Sequence, residues 1–144
     1  MSITPEQLAK NGSEDGHQAA LFCWMALNFE TYPELKWAFA VPNGGLRDKI
    51  TANKMKATGV KSGVPDIFLP VRRAEFIGLW IEMKRPELKP KRQGSKGGVS
   101  DEQDEYKKHL LSQGYGVYVA YGWEDARNTM IAYLNYGKSF GTQR

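Results

Sequence analysis

One cysteine, Cys23, stands among the 144 residues. An internal disulfide is therefore excluded. Cys23 lies in the apolar stretch from Ala19 to Leu27 and reads as a small buried hydrophobe, in keeping with a reducing cytoplasm. No apolar run approaches the ~20 residues that a membrane-spanning helix needs. Residues Met1 to Lys10 lack the basic start and apolar centre of a signal peptide. There is no internal repeat. What remains is an ordinary globular balance, 41% hydrophobic and 25% charged. At this length it suits one domain around one core. Residues 13–136 are expected to form that domain, with tails at 1–12 and 137–144.

A net charge of +4 says little, but its distribution says more. Residues 46–61 hold Arg47, Lys49, Lys54, Lys56 and Lys61 against one acid, Asp48. Residues 84–98 hold Lys84, Arg85, Lys89, Lys91, Arg92 and Lys96 against Glu87 alone. Together the two stretches carry +9 and the rest of the chain −5. Segregated positive charge points to a polyanion, because phosphate neutralisation releases counterions. Two solvated basic loops without a partner are the plainer alternative.

Ser13 is a plausible N-cap for a helix over 13–30, and Glu14 and Asp15 suit its positive end. Its centre is apolar nearly all round, which predicts deep burial. A short strand is expected over 36–41, ended by Pro42-Asn43-Gly44-Gly45, then a polar helix over 46–58. Val64 to Val71 and Phe76 to Lys84 read as strands joined by a turn at Arg72 to Glu75. The segment 85–98, rich in glycine, proline and basic residues, reads as a mobile loop. Ser100 and Gln103 form a capping box opening a helix that runs to about Gln113. A strand over 115–121 and a helix over 124–135 complete an α-β-β-β-α-β-α order. That order describes an α/β domain with a mixed central sheet flanked by helices. Trp24 and Trp37 are expected in the core, and Trp80 beside Glu82.

Two of these strands each bring a carboxylate into an apolar setting: Asp66 after Pro65, and Glu82 near the end of the next strand. Such charges are costly unless paired or bound to a metal. Hard cations such as Mg²⁺ take oxygen ligands, commonly one or two carboxylates with water and phosphate. Lys84, two residues beyond Glu82, points the same way along the strand. It can orient an attacking water and stabilise negative charge on phosphorus. The bland alternatives are a solvated ion pair for Glu82 and Lys84 and a turn role for Asp66.

The combination Pro65-Asp66, then Glu82-Met83-Lys84, resembles the signature of the PD-(D/E)XK nuclease superfamily. Around it stand Glu14-x-x-His17-Gln18, Asn43-Gly44, the loop Gly59 to Asp66, and Ser100-x-x-Gln103. In this order they resemble the VRR-NUC (virus-type replication-repair nuclease) family in its compact, stand-alone, phage-like form. The resemblance spans residues 13–134. It implies a restriction-endonuclease-like core with Asp66, Glu82 and the main-chain carbonyl of Met83 as metal ligands. Lys84 matches the catalytic lysine, and Glu14 a glutamate that reaches the metal through water. Gln18 and Gln103 match glutamines lining the site. The implied cofactor is Mg²⁺, with Mn²⁺ able to substitute. His17 departs from the aliphatic residue common in relatives and reads as a local polar contact. Gln103 completes a cap whatever else it does, and Glu14 is also a first-turn helix acid.

The resemblance further implies a homodimeric endonuclease acting on branched, flapped or Holliday-junction-like DNA in phage or bacterial replication, recombination or repair. Asn43, Arg47, Lys49, Lys54, Lys61, Lys89, Lys91, Arg92 and Lys96 are the expected DNA contacts. Gripping phosphates positions a duplex without reading its sequence. The rival readings are a non-cleaving nucleic-acid-binding module, a sequence-specific restriction-type enzyme and an RNA-cleaving enzyme.

Overall fold

The computed structural model describes residues 2–42 and 49–137. Helix α1 (Pro5–Leu8) comes first, within the stretch expected to be a tail. The cause is a capping box: Thr4 and Gln7 satisfy each other's backbone N–H groups. Leu8 and Ala9 then pack against the core. The sequence carried the same signal here as at Ser100.

Helix α2 (Glu14–Leu27) opens on Ser13, whose hydroxyl accepts from the Gly16 N–H at 2.9 Å. It buries one side, through His17, Ala20, Leu21 and Met25, and leaves Leu27 exposed. It is a helix with one core face, in place of the all-round burial expected. Cys23 is only half-buried, its thiol directed at the Ile3 carbonyl. A short 3-10 helix (Pro33–Trp37) occupies part of the expected first strand, and β1 (Phe39–Ala40) is only two residues long. Trp37 is 66% exposed and is no core residue. Asn43, Arg47 and the predicted turn around them lie outside the described residues. Helix α3 (Lys49–Ala57) follows, with no buried residue.

Strand β2 (Ile67–Leu69) is shorter than its apolar run because Pro65 and Pro70 bracket it and neither can donate to a ladder. It pairs antiparallel with β3 (Leu79–Lys84), Phe68 opposite Trp80. A turn closed by an isolated Arg73–Phe76 bridge joins them, as the hairpin reading required. Helix α4 (Asp101–Ser112) carries the chain across, and β4 (Gly116–Tyr121) returns parallel to β3. Helix α5 (Trp123–Asn135) closes the fold.

The sheet order is β1-β2-β3-β4, antiparallel except for its last pair. It is the mixed sheet with flanking helices that the sequence predicted. Ile67, Leu69, Ile81 and Met83 join Leu21, Met25, Met130 and Leu134 in one core between the sheet and helices α2 and α5. Successive strand residues point to opposite faces, so Trp80, Glu82 and Lys84 face the other way. On that face Trp80 stacks on Phe68, ring centroids 4.3 Å apart.

Candidate active site

Several elements converge where β3 ends. Glu82 and Lys84 are only 4% and 6% exposed, and the lysine Nζ lies 3.7 Å from Glu82 Oε2. Asp66 precedes β2, and its Oδ2 accepts the main-chain N–H of Met83 at 2.7 Å. That hydrogen bond pins the Asp66 carboxylate against the next strand. In an extended strand a residue's N–H and C=O point to the same edge. The Met83 carbonyl therefore turns toward the Asp66 side too. Gly63 (φ +92°) lets the preceding loop touch the first turn of α4: a Cβ there would lie 2.6 Å from the Glu102 carbonyl.

Gln103 does two jobs at once. Its Oε1 accepts the Ser100 N–H at 2.9 Å, and its own N–H donates to Ser100 Oγ at 3.1 Å. Its side-chain amide hydrogens take no part in that cap, and Nε2 donates to Glu82 Oε2 at 2.9 Å. Gln103 therefore completes the cap and touches Glu82 at the same time. Gln103→Glu is expected to keep the capping box, since glutamate serves equally well there. It would place a carboxylate where the donor to Glu82 stood. Helix stability should hold in a thermal melt while activity falls, and equal activity would show that the Gln103–Glu82 bond is dispensable.

Burial and the neighbouring Asp66 carboxylate push the Glu82 carboxyl up to about 9, and the Lys84 ammonium only partly offsets them. Glu14, at the start of α2, is also raised by burial, with Asp66 adding to the shift and Lys84 opposing it. These mutual influences place Glu14, Asp66, Glu82 and Lys84 in one electrostatic cluster. Gln18 stands one turn along α2 from Glu14, on the same side of the helix. Arg85, absent from the sequence-derived set, also acts on Glu14. Its signal was its place beside Lys84.

Among the described residues no three histidine, cysteine, aspartate or glutamate side chains form a ready-made metal cage. The donor set still suits a hard cation that keeps most of its water. Glu82 Oε1 is fully buried and meets no donor group among the described residues; the Asp66 carboxyl lies within reach to share the proton that Glu82 holds, and without that proton the buried oxygen would be costly. Asp66 is alongside, and both offer oxygen, the donor that Mg²⁺ takes.

His17 accepts the Trp123 N–H on Nδ1 at 3.1 Å. It serves the start of α5, where the N-cap Gly122 has no side chain to do so, and it is the local polar contact expected. Trp123 is buried, with the Arg127 guanidinium 5.2 Å from its ring centroid. Lys49, Lys54, Lys61, Lys89, Lys91, Arg92 and Lys96 all lie exposed at the surface. Of these, Lys96 pairs with Asp101 at 2.8 Å.

The VRR-NUC domain model matches residues 12–124, a span that includes every residue of this cluster. The chain belongs to the VRR-NUC family. A solved structure described as a VRR-NUC domain protein superposes with a TM-score of 0.65 at 27% identity, covering 86% of this chain and 89% of that one. No curated protein matches the chain. This VRR-NUC chain therefore has a nuclease fold, and the likeness extends well beyond the short motif on β2 and β3. Among its described residues no helix is long and apolar enough to cross a membrane.

Proposed function

We propose that this VRR-NUC protein is a metal-dependent endonuclease that hydrolyses DNA phosphodiester bonds and selects branched, flapped or junction DNA by shape. The observation that carries the reading is the buried Glu82 carboxyl. One of its oxygens meets no donor group among the described residues, the other is held by Gln103, and the Asp66 carboxyl and the Lys84 ammonium stand beside it. A side chain so placed costs stability unless the site has work for it.

Asp66, Glu82 and the Met83 carbonyl would hold Mg²⁺ or Mn²⁺, with Glu14 reaching it through water. When bound, the cation supplies charge neutralisation at the phosphate and a lowered pKa for water. Lys84 orients the attacking water and stabilises the negative charge that develops on the phosphoryl oxygens. Gln103 fixes the Glu82 carboxylate in one orientation. Gln18 lines the approach from α2. No covalent intermediate is required. Two subunits in a homodimer would present two such sites to a junction.

The deciding experiment is cleavage of labelled linear duplex, single strand, 5′ flap, fork and four-way junction with Mg²⁺, Mn²⁺ or EDTA. Asp66→Ala is the control. Metal-dependent cutting of a branched form, lost in the control, supports the reading. A fixed cut sequence on linear duplex would favour a restriction-type enzyme. Tight binding with no product under any condition would favour a binding module.

The exposed basic residues provide a separate check. Removing Lys89, Lys91 and Arg92 is expected to weaken DNA binding and flatten its salt dependence, by roughly one unit of slope for each phosphate no longer neutralised. Titrations between low and moderate salt read this directly. An unchanged slope would mean that the loop does not touch DNA.

A further inference from the structure

Strand register sets Tyr121 of β4 directly beside Lys84 of β3, on the same face of the sheet. Its backbone N–H is held by Asp125 Oδ2 at 2.8 Å, and the next residue, Gly122, donates its N–H to the Lys84 carbonyl at 2.9 Å. The ring is thus anchored from below. Its hydroxyl reaches up to the basic loop and donates to the Gly97 carbonyl at 2.9 Å.

The loop is shaped to receive it. Gly97 has φ +58°, and a Cβ there would lie 2.1 Å from the Tyr121 oxygen and 2.8 Å from Pro90. Gly98, at φ +78°, rests against Leu88 and faces the Lys84 side chain, where a Cβ would come within 3.6 Å of Lys84 Cδ. This glycine corner helps to keep Lys84 only 6% exposed. Two residues further on is Ser100, whose capping box directs Gln103 at Glu82. A cavity of about 600 Å³ separates much of the loop from β4 and α4, lined by Lys89, Pro90, Val99, Val119 and Tyr121 among others. Among the contacts that tie the loop to the rest of the chain are the Tyr121 hydroxyl, the Lys96–Asp101 pair and the approach of Gly98 to Lys84, while Gly98–Leu88 packing shapes the loop from within.

We infer that Tyr121 is a positioning residue: it latches the Gly97–Gly98 corner of the basic loop over Lys84 and so holds the lysine stem in line with Glu82. The inference rests on the reading of Lys84 as catalytic. It goes further by giving the loop a second role besides gripping DNA, and it links the two through one hydroxyl.

The test compares full-length wild type, Tyr121→Phe, Gly97→Ala and Lys84→Ala. Four quantities are measured: single-turnover cleavage of the preferred DNA, the Kd for that DNA, the melting temperature, and amide hydrogen exchange at residues 97–99 without DNA or metal. Loss of one neutral hydrogen bond is expected to slow Tyr121→Phe cleavage roughly five-fold and to speed exchange at 97–99 by a similar factor. Kd and melting temperature should stay close to wild type, a split that a general structural defect would not produce. Gly97→Ala, which displaces the hydroxyl from the loop side, should also slow cleavage and speed exchange at 97–99, with a lower melting temperature because alanine is strained at φ +58° and its Cβ would meet Pro90; it replaces Tyr121→Phe if that variant does not fold. Wild-type exchange, or faster exchange with an unchanged cleavage rate, overturns the latch. Full activity in Lys84→Ala would instead remove the catalytic reading beneath it, whereas an inactive Lys84→Ala beside a fully active Tyr121→Phe overturns the latch alone.

Discussion

Lys84→Ala is expected to lower the single-turnover cleavage rate by roughly two to three orders of magnitude, the usual loss when one donor to transition-state charge is removed from a closed site. The size of the effect follows from where the lysine sits. Its ammonium is almost fully removed from water and lies 3.7 Å from Glu82 Oε2. Electrostatic contacts in such surroundings are worth far more than at a surface. DNA affinity should change little, because the exposed cations of the basic loop remain. The fold should also survive: below about pH 9 the metal-free Glu82 carboxyl already holds a proton, so removing the lysine leaves no buried carboxylate charge unpaired. Lys84→Met, which keeps the buried stem and removes only the charge, should be as inactive as the alanine variant. Wild-type rates in both would refute the role given to Lys84.

Glu82→Gln is expected to do two opposite things: abolish cleavage and stabilise the metal-free protein above neutral pH. The ordinary value for this carboxyl is 4.5, and in the folded chain burial first, then Asp66, raises it to about 9. Between those values the folded protein binds a proton that the unfolded chain has released. Stability of the metal-free protein therefore falls as pH rises from about 4.5 toward 9, with a limiting slope of about 1.4 kcal/mol per pH unit. Glutamine is neutral throughout and can still accept from Gln103, so that part of the slope should vanish in the variant. Metal binding requires the charged carboxylate, so Mg²⁺ or Mn²⁺ should stabilise wild type increasingly as pH rises and should release a proton. It should leave Glu82→Gln nearly unaffected. Denaturant melts across pH, with and without metal, read all of this independently of cleavage. A wild-type slope identical to that of the variant would mean that Glu82 does not carry the proton.

The two variants separate the two jobs at the end of β3. On the proposed mechanism, loss of Lys84 should leave metal-linked stabilisation in place and remove a group that would act on the reacting phosphate. Loss of the Glu82 charge should remove the metal-linked stabilisation itself. Gln103 stands between them, since its amide orients Glu82 while its carbonyl oxygen completes a helix cap.

What the sequence determined by itself was local, or rested on the spacing of polar residues within apolar runs. Asp66 and Glu82 interrupt such runs, and the short turn at 72–75 requires the two strands to pair. Their proximity was therefore legible in the sequence alone. Caps were equally legible, because a capping box is complete within four residues; the one at Thr4 carried the same signal, within a stretch read as a tail. Other features depended on neighbours distant in the chain. Apolar content near residue 37 suggested a strand, but Pro33 opens a 3-10 helix there and Trp37 is left exposed. A run from Val64 to Val71 suggested a long strand, yet pairing stops where two prolines withhold donors. Only the tertiary structure set Tyr121 beside Lys84, because parallel register across a helical crossover has no local sequence code. Only it raised Glu82 so far, because desolvation depends on every element packed around the carboxyl. Sequence could name the candidate groups since each carries its own chemistry; their protonation and alignment are properties of the surroundings, which exist only once the chain has folded.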